Sequence, residues 1–284
     1  MGFLKFIQFT IPEYIKPYGL FHITFLLLVA AFTIILCVFY KNIKEKQLNK
    51  FLITVWLILV VLEIYKQFVF SYYFDDYGVI HWDYGWFTFP YQFCSTPLIF
   101  IPFIALNKGS NRFSSFIKEG SIIFCCTFSL FAGLGVMIAP KDVFLTYNFV
   151  ICVQTMIHHG MQVALGVFLY VYYYKKIKYW SFLKALPIFI FFVFNALILN
   201  YFVPLFNGGE PFNMFFISPY YECPLPLLSI IHDSAPYLVF LLVYIVGFTA
   251  LSFGIYNALY YLALLVKNHA LKFIDNSDDA VLSK

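Results

Sequence analysis

Tyr147-Asn-Phe-Val-Ile-Cys-Val-Gln-Thr-Met-Ile-His-His-Gly-Met-Gln162 decides how this chain folds. Asn148, Cys152, Thr155, His159 and Gln162 recur at alternating steps of four and three residues. On a helix that spacing puts all five on one face. The stretch is otherwise apolar, and a histidine at membrane depth is costly unless it faces protein or water. The stripe therefore predicts an internal helix that lines a polar cavity within a bundle of membrane helices.

The rest of the chain agrees. Its 284 residues are 62% hydrophobic and 11% charged, with a mean hydropathy of +0.83. An integral membrane protein needs that much apolar surface, and a soluble domain of this size does not. The net charge is only +4, and no basic face is visible, which argues against a nucleic-acid partner. Six cysteines are present, no Cys-x-x-Cys pair exists, and only Cys223 falls in an outer loop, so no disulfide framework is indicated. Residues 1–17 include Pro12, Glu13 and Pro17, form no signal-peptide core and read as an interfacial segment.

Apolar runs of about 20 residues predict an all-α, polytopic fold with seven transmembrane helices. The expected spans are 18–40, 51–73, 83–106, 119–139, 147–174, 185–206 and 234–266. Residues 18–266 form the membrane domain, and 267–284 a cytoplasmic tail. Segments 41–50, 107–118, 175–184 and the tail hold 14 of the 18 basic residues. The other side has Lys5, Lys16 and Lys141. That asymmetry predicts the amino terminus outside and the carboxyl terminus inside a cell membrane. The outer loop 207–233 is rich in aromatics and prolines. It lies in the interface, folds back over a cavity mouth, or is an ordinary packed loop.

Polar residues inside the spans mark candidate sites. Glu63 lies near the midplane of span 2, with Lys66 and Gln67 on the same face. Either the pair forms a charged cavity wall, or Lys66 snorkels outward and Glu63 is protonated or paired. Cys94 lies about 16 Å deep if its helix starts at Asp83, which matches about 18 Å for His159. If the span starts at Phe89 instead, the match fails. A lone cysteine in a span is usually packing. His158 points about 100° away from His159 and is expected to hydrogen-bond a neighbouring helix. Cys152 is the competing thiol. Span 7 has no lysine, so the usual retinal Schiff base is excluded. No phosphate loop and no clustered metal-ligand set is visible, and neither a metal nor another cofactor is expected.

Phe89-Pro-Tyr-Gln-Phe-Cys94, followed by Pro97 and Pro102, resembles the Leu-Pro-Leu-His-Leu-Cys motif of the bacterial YwaF-like integral membrane proteins. Ile157-His-His-Gly160 resembles the histidine motif of that family. Asn195, Asn213, and Pro236 with Tyr237 resemble its later positions. The family is distantly similar to a eukaryotic transmembrane acyltransferase that remodels ether phospholipids through a cysteine and a histidine. By that resemblance, Cys94 and His159 are the implied catalytic residues. Gln92 stands where the motif has histidine, which removes a second base, and Asp233-Ser-Ala-Pro-Tyr237 alters the cavity mouth.

Two functions follow as expectations. One is cysteine/histidine-dependent acyl transfer acting on membrane lipids, with Glu63 or Asn195 orienting the imidazole. Lys66, Gln92 and Tyr237 are candidate substrate contacts. The other is a small-solute carrier, or the substrate-binding subunit of a transporter, with a midplane polar cavity. The sequence names no protein partner.

Overall fold

Six helices are long and apolar enough to cross a membrane: Leu20–Asn42, Glu45–Val69, Arg112–Ile138, Phe149–Tyr173, Tyr179–Leu205 and Tyr237–Leu264. By the length and composition of these helices the chain is an all-α, multi-pass membrane protein. The computed structural model describes residues 2–140 and 142–282, and their side chains except Asp142 and residues 265–282. Lys141, Lys284 and the side chains of Lys267 and Lys272, used above for orientation, lie outside the described residues. So do the side chains of the expected tail.

In chain order the elements are α1 (Gly2–Ile7), α2 (Leu20–Phe39), α3 (Glu45–Val69), strands β1 (Tyr72–Phe74) and β2 (Ile80–Trp82), α4 (Thr96–Leu106), α5 (Arg112–Phe124), α6 (Leu130–Ile138), α7 (Phe149–Tyr173), α8 (Leu186–Phe202), α9 (Leu228–Ser234) and α10 (Tyr237–Leu282). The strands form one antiparallel hairpin. A wide π turn at Cys125–Ser129 joins α5 to α6 into one span. Burial separates the helices by role. The apolar window of α7 is 67% buried, that of α2 only 6%. The helix with the polar stripe is therefore internal, as is the α5–α6 span at the same 67%, and α2 presents Leu27, Leu28, Ile34 and Ile35 outward as a lipid-facing helix does.

Glycines let neighbours approach α7. A Cβ on Gly133 of α6 would meet the His159 carbonyl oxygen at 2.9 Å and Gln162 Cβ at 2.8 Å. A Cβ on Gly160 would meet Val29 of α2 at 2.4 Å. These close approaches hold α2 and α6 against the helix that carries the histidines.

The expected third span needs correction. Residues 83–92 form no α-helix, only a short 3₁₀ turn at Trp86–Thr88, and the apolar helix runs only from Phe93 to Leu106. Pro90 is the cause. It lacks the N–H that a continuing helix would need, and it drives Phe89 before it to extended backbone, with ψ at 132°. A helix of that length spans about 20 Å, short of a hydrocarbon core of about 30 Å.

The segment after α8 folds inward. Phe212, Met214, Phe215 and Ile217 are fully buried although they belong to no long helix. Asn200 of α8 grips Met214 from both sides: its amide donates to the Met214 carbonyl at 2.9 Å, and its oxygen accepts from the Met214 N–H at 2.7 Å. Gln92 does the same across the fold, donating to the Asn213 carbonyl and accepting from the Phe215 N–H, both at 2.8 Å. The Tyr237 and Tyr244 hydroxyls donate to the carbonyls of Ile217 and Phe215. Irregular backbone inside a membrane protein needs such partners. Phe215 and Phe216 both take left-handed backbone, φ 58° and 57°, which these anchors hold in place. The loop packs inward, which both the packed-loop reading and the fold over a cavity mouth allow.

Candidate functional site: a buried cysteine and histidine centre

Pro90 turns the chain so that a helix begins inside the bundle rather than at its surface. Cys94 occupies the first turn of that helix, in the short 3₁₀ segment Phe93–Ser95 that leads into α4. It is partly exposed, as is Cys37 on α2, whereas Cys125, Cys126, Cys152 and Cys223 are buried. The premise that a helix starts at Asp83 fails, yet Cys94 still reaches the level of the histidines. The irregular residues 83–92 carry it there.

The contact is through the backbone. His158 Nε2 donates to the Cys94 carbonyl at 2.6 Å, and Gln162 Nε2 donates to the same oxygen at 2.7 Å. His158 and Gln162 are four residues apart on α7, so one helical face clasps one carbonyl. His158 therefore bonds a neighbouring segment, as its angle on the helix predicts. Its Nδ1 is buried without a partner, and so is Gln162 Oε1. Both atoms are acceptors: a carbonyl can only accept, so the His158 proton sits on Nε2.

His159 is oriented differently. Its Nδ1 donates to the Thr155 carbonyl at 2.7 Å. That fixes the neutral tautomer with its lone pair on Nε2. Among the described residues no hydrogen bond joins Cys94 Sγ to either imidazole. The remaining stripe residues are all buried. Asn148 caps α7 by accepting from the Ile151 N–H at 3.0 Å. Cys152 packs with Met137, Phe144 and Met156 against α2, in a cluster separate from the main core.

Charge comes from α3. Lys66 Nζ lies 2.8 Å from Glu63 Oε1. Gln67 donates to Glu63 Oε1 at 2.6 Å and to the Thr88 carbonyl at 2.8 Å, and the Tyr84 hydroxyl donates to Gln67. The pair stands within electrostatic reach of Cys94, and Lys66 within reach of both histidines. Glu63 is buried and paired, whereas Lys66 is partly exposed.

Three expected contacts lie elsewhere. Gln92 and Tyr237 are engaged with the backbone of the inward loop. Asn195 gives its amide to the Phe191 carbonyl of its own helix at 2.7 Å, and no hydrogen bond brings it to the imidazoles. A serine or asparagine with no better partner does this in an apolar helix. The inward loop itself covers the centre: the Phe215 ring lies 4.3 Å from that of Phe93, the neighbour of Cys94. Its Cys223 is buried within the loop. Sequence reading left out the Thr88 and Tyr84 contacts, which arise only once Pro90 has set the path of residues 83–92. Among the described residues no three His, Cys, Asp or Glu side chains converge as a metal site requires.

No known family model matches the chain, and no curated protein and no solved structure is significantly similar to it.

Proposed function

We propose that this protein is a membrane-embedded acyltransferase in which Cys94 carries an acyl group from one lipid to another. One observation carries the reading: a partly exposed cysteine begins a helix in the interior, its carbonyl clasped by His158 and Gln162. The resemblance of Phe89–Cys94 and Ile157–Gly160 to the YwaF-like motifs supports it. In this reading the chain crosses the cell membrane seven times, residues 83–106 serving as the broken third crossing, with the amino terminus outside.

His159 is the general base. Its Nε2 lone pair takes the Cys94 proton, and the sulfur attacks the carbonyl carbon of a lipid ester. The ester C–O bond breaks, and the imidazolium returns its proton to the leaving alkoxide. Cys94 then holds a thioester. A hydroxyl of the second lipid gives its proton to His159 and attacks the thioester, and the thiol is restored as the C–S bond breaks. His158 and Gln162 position Cys94, and their unpaired acceptor atoms suit a donor such as the incoming hydroxyl. The inward loop keeps water out, which favours transfer over hydrolysis.

A carrier is the second reading. The Glu63–Lys66 pair, with Glu63 buried, and a broken crossing at depth favour it, as both recur at solute sites in transporters. The histidines provide the test. With purified protein and acyl-labelled phospholipid, His159→Gln is expected to lower transfer by roughly 10²-fold or more. His158→Gln is expected to cost less, about tenfold, because it loses a positioning bond. Reversed effects would make His158 the base. Full transfer in both variants would leave the carrier reading ahead.

A further inference from the structure

At the opposite end of α7 from the cysteine centre lies a cavity of about 250 Å³. Its lining includes Lys108, Lys118 and Lys176, with Glu45 and Glu119. The inner ends of α3, α5 and α7 meet there, on the side where the basic residues collect. Tyr173, also in the lining, is fourteen residues beyond His159, about 21 Å along the helix.

The charges do not cancel. Lys118 Nζ lies 3.4 Å from Glu45, and Glu119 is paired with Lys184 from outside the lining. Both carboxylates are thus engaged. Lys108 and Lys176 form no ion pair among the described residues. Lys176 Nζ stands 5.8 Å over the Tyr173 ring. Tyr173 supplies a second, independent sign. It is only 7% exposed, and its hydroxyl is buried without a hydrogen-bond partner. A buried hydroxyl in that state costs stability unless something accepts its proton. Two unpaired ammonium groups and one unpaired hydroxyl donor around one cavity suit a compact anion with several acceptor oxygens.

We propose that this cavity binds a phosphate group, held by Lys108 and Lys176 and accepting a hydrogen bond from Tyr173. The group can belong to a lipid headgroup or to a free phosphate. Its position beside basic loops, where anionic headgroups gather, fits either source. The site does not depend on the reading of Cys94.

The test uses the full-length protein in detergent and follows thermal unfolding. The probes are dioctanoyl phosphatidic acid, dioctanoyl phosphatidylcholine and inorganic phosphate. Phosphatidic acid is expected to raise Tm more than phosphatidylcholine does. The concentration for half the effect should rise about tenfold in K108Q/K176Q and stay unchanged in K46Q/K50Q, a basic pair outside the cavity. Tyr173→Phe should weaken the effect several-fold. Protection by inorganic phosphate as well, lost in the same variant, supports the site and assigns recognition to the phosphate alone. Protection by phosphatidic acid only supports it and assigns a lipid. If K108Q/K176Q unfolds before titration, K108R/K176R is expected to keep the protection while Tyr173→Phe weakens it. No protection by either phosphate source, or equal weakening in K46Q/K50Q, would overturn the proposal.

Discussion

Cys94→Ala is expected to lower acyl transfer by roughly 10³-fold or more, to the level of the uncatalysed exchange. The size follows from the role: without sulfur no covalent carrier exists, and neither histidine can replace it. Cys152→Ala is the matched control and should keep most of the activity. Its side chain packs with Met137, Phe144 and Met156 in a cluster separate from the main core. The comparison also separates the two functions, because a carrier has no need of the thiol. Lipid exchange measured on purified protein in vesicles decides it, and wild-type rates in Cys94→Ala would exclude the nucleophile.

The second large effect concerns the inward loop. Asn200→Ala removes both side-chain bonds that hold Met214, leaving its buried N–H without a partner and its carbonyl with only the long bond from the Ile217 N–H at 3.4 Å. The expected cost is about 2 kcal/mol, large for a single side chain in a membrane protein. That corresponds to about a 30-fold rise in the open population of the loop. Cys223 reports the opening, since it is only 2% exposed in the closed arrangement. Its modification by a maleimide, resolved by peptide mass spectrometry, should speed up by about that factor. Opening also admits water beside Phe93, so released fatty acid should rise at the expense of transferred chain. Unchanged protection of Cys223 would show that the remaining anchors, Gln92, Tyr237 and Tyr244, suffice without Asn200.

The parts of this structure that were legible in the sequence are those that depend on local spacing. Apolar length marked each of the six long helices, and the four-and-three spacing of the stripe identified α7 as internal. The third crossing was misread because hydropathy counts Trp86, Phe87 and Phe89 as helix-compatible, while Pro90 overrides them. Contacts between distant residues were not legible. Cys94 and His158 are 64 positions apart, and Gln92 and Asn213 are 121 apart. No local period encodes which partner a side chain meets across a bundle. Gln92 therefore read as a substrate contact when it anchors a loop. Asn195 read as a site residue because an asparagine in a span looks the same whether it faces a neighbour or its own carbonyls. The choice between His158 and His159 could be framed by their 100° separation, but which of them meets Cys94 depends on where α4 begins.

The account stands or falls on a covalent bond to Cys94. Purified wild-type protein should be incubated with a phospholipid bearing an isotopically labelled acyl chain, quenched in acid and digested. Mass spectrometry is expected to find the labelled chain on the peptide that contains Cys94, and neutral hydroxylamine should remove it, as it does a thioester. The label should be retained longer when no acceptor lipid is present. Continued acyl transfer with no label on Cys94, or with label on another residue, would contradict the central claim.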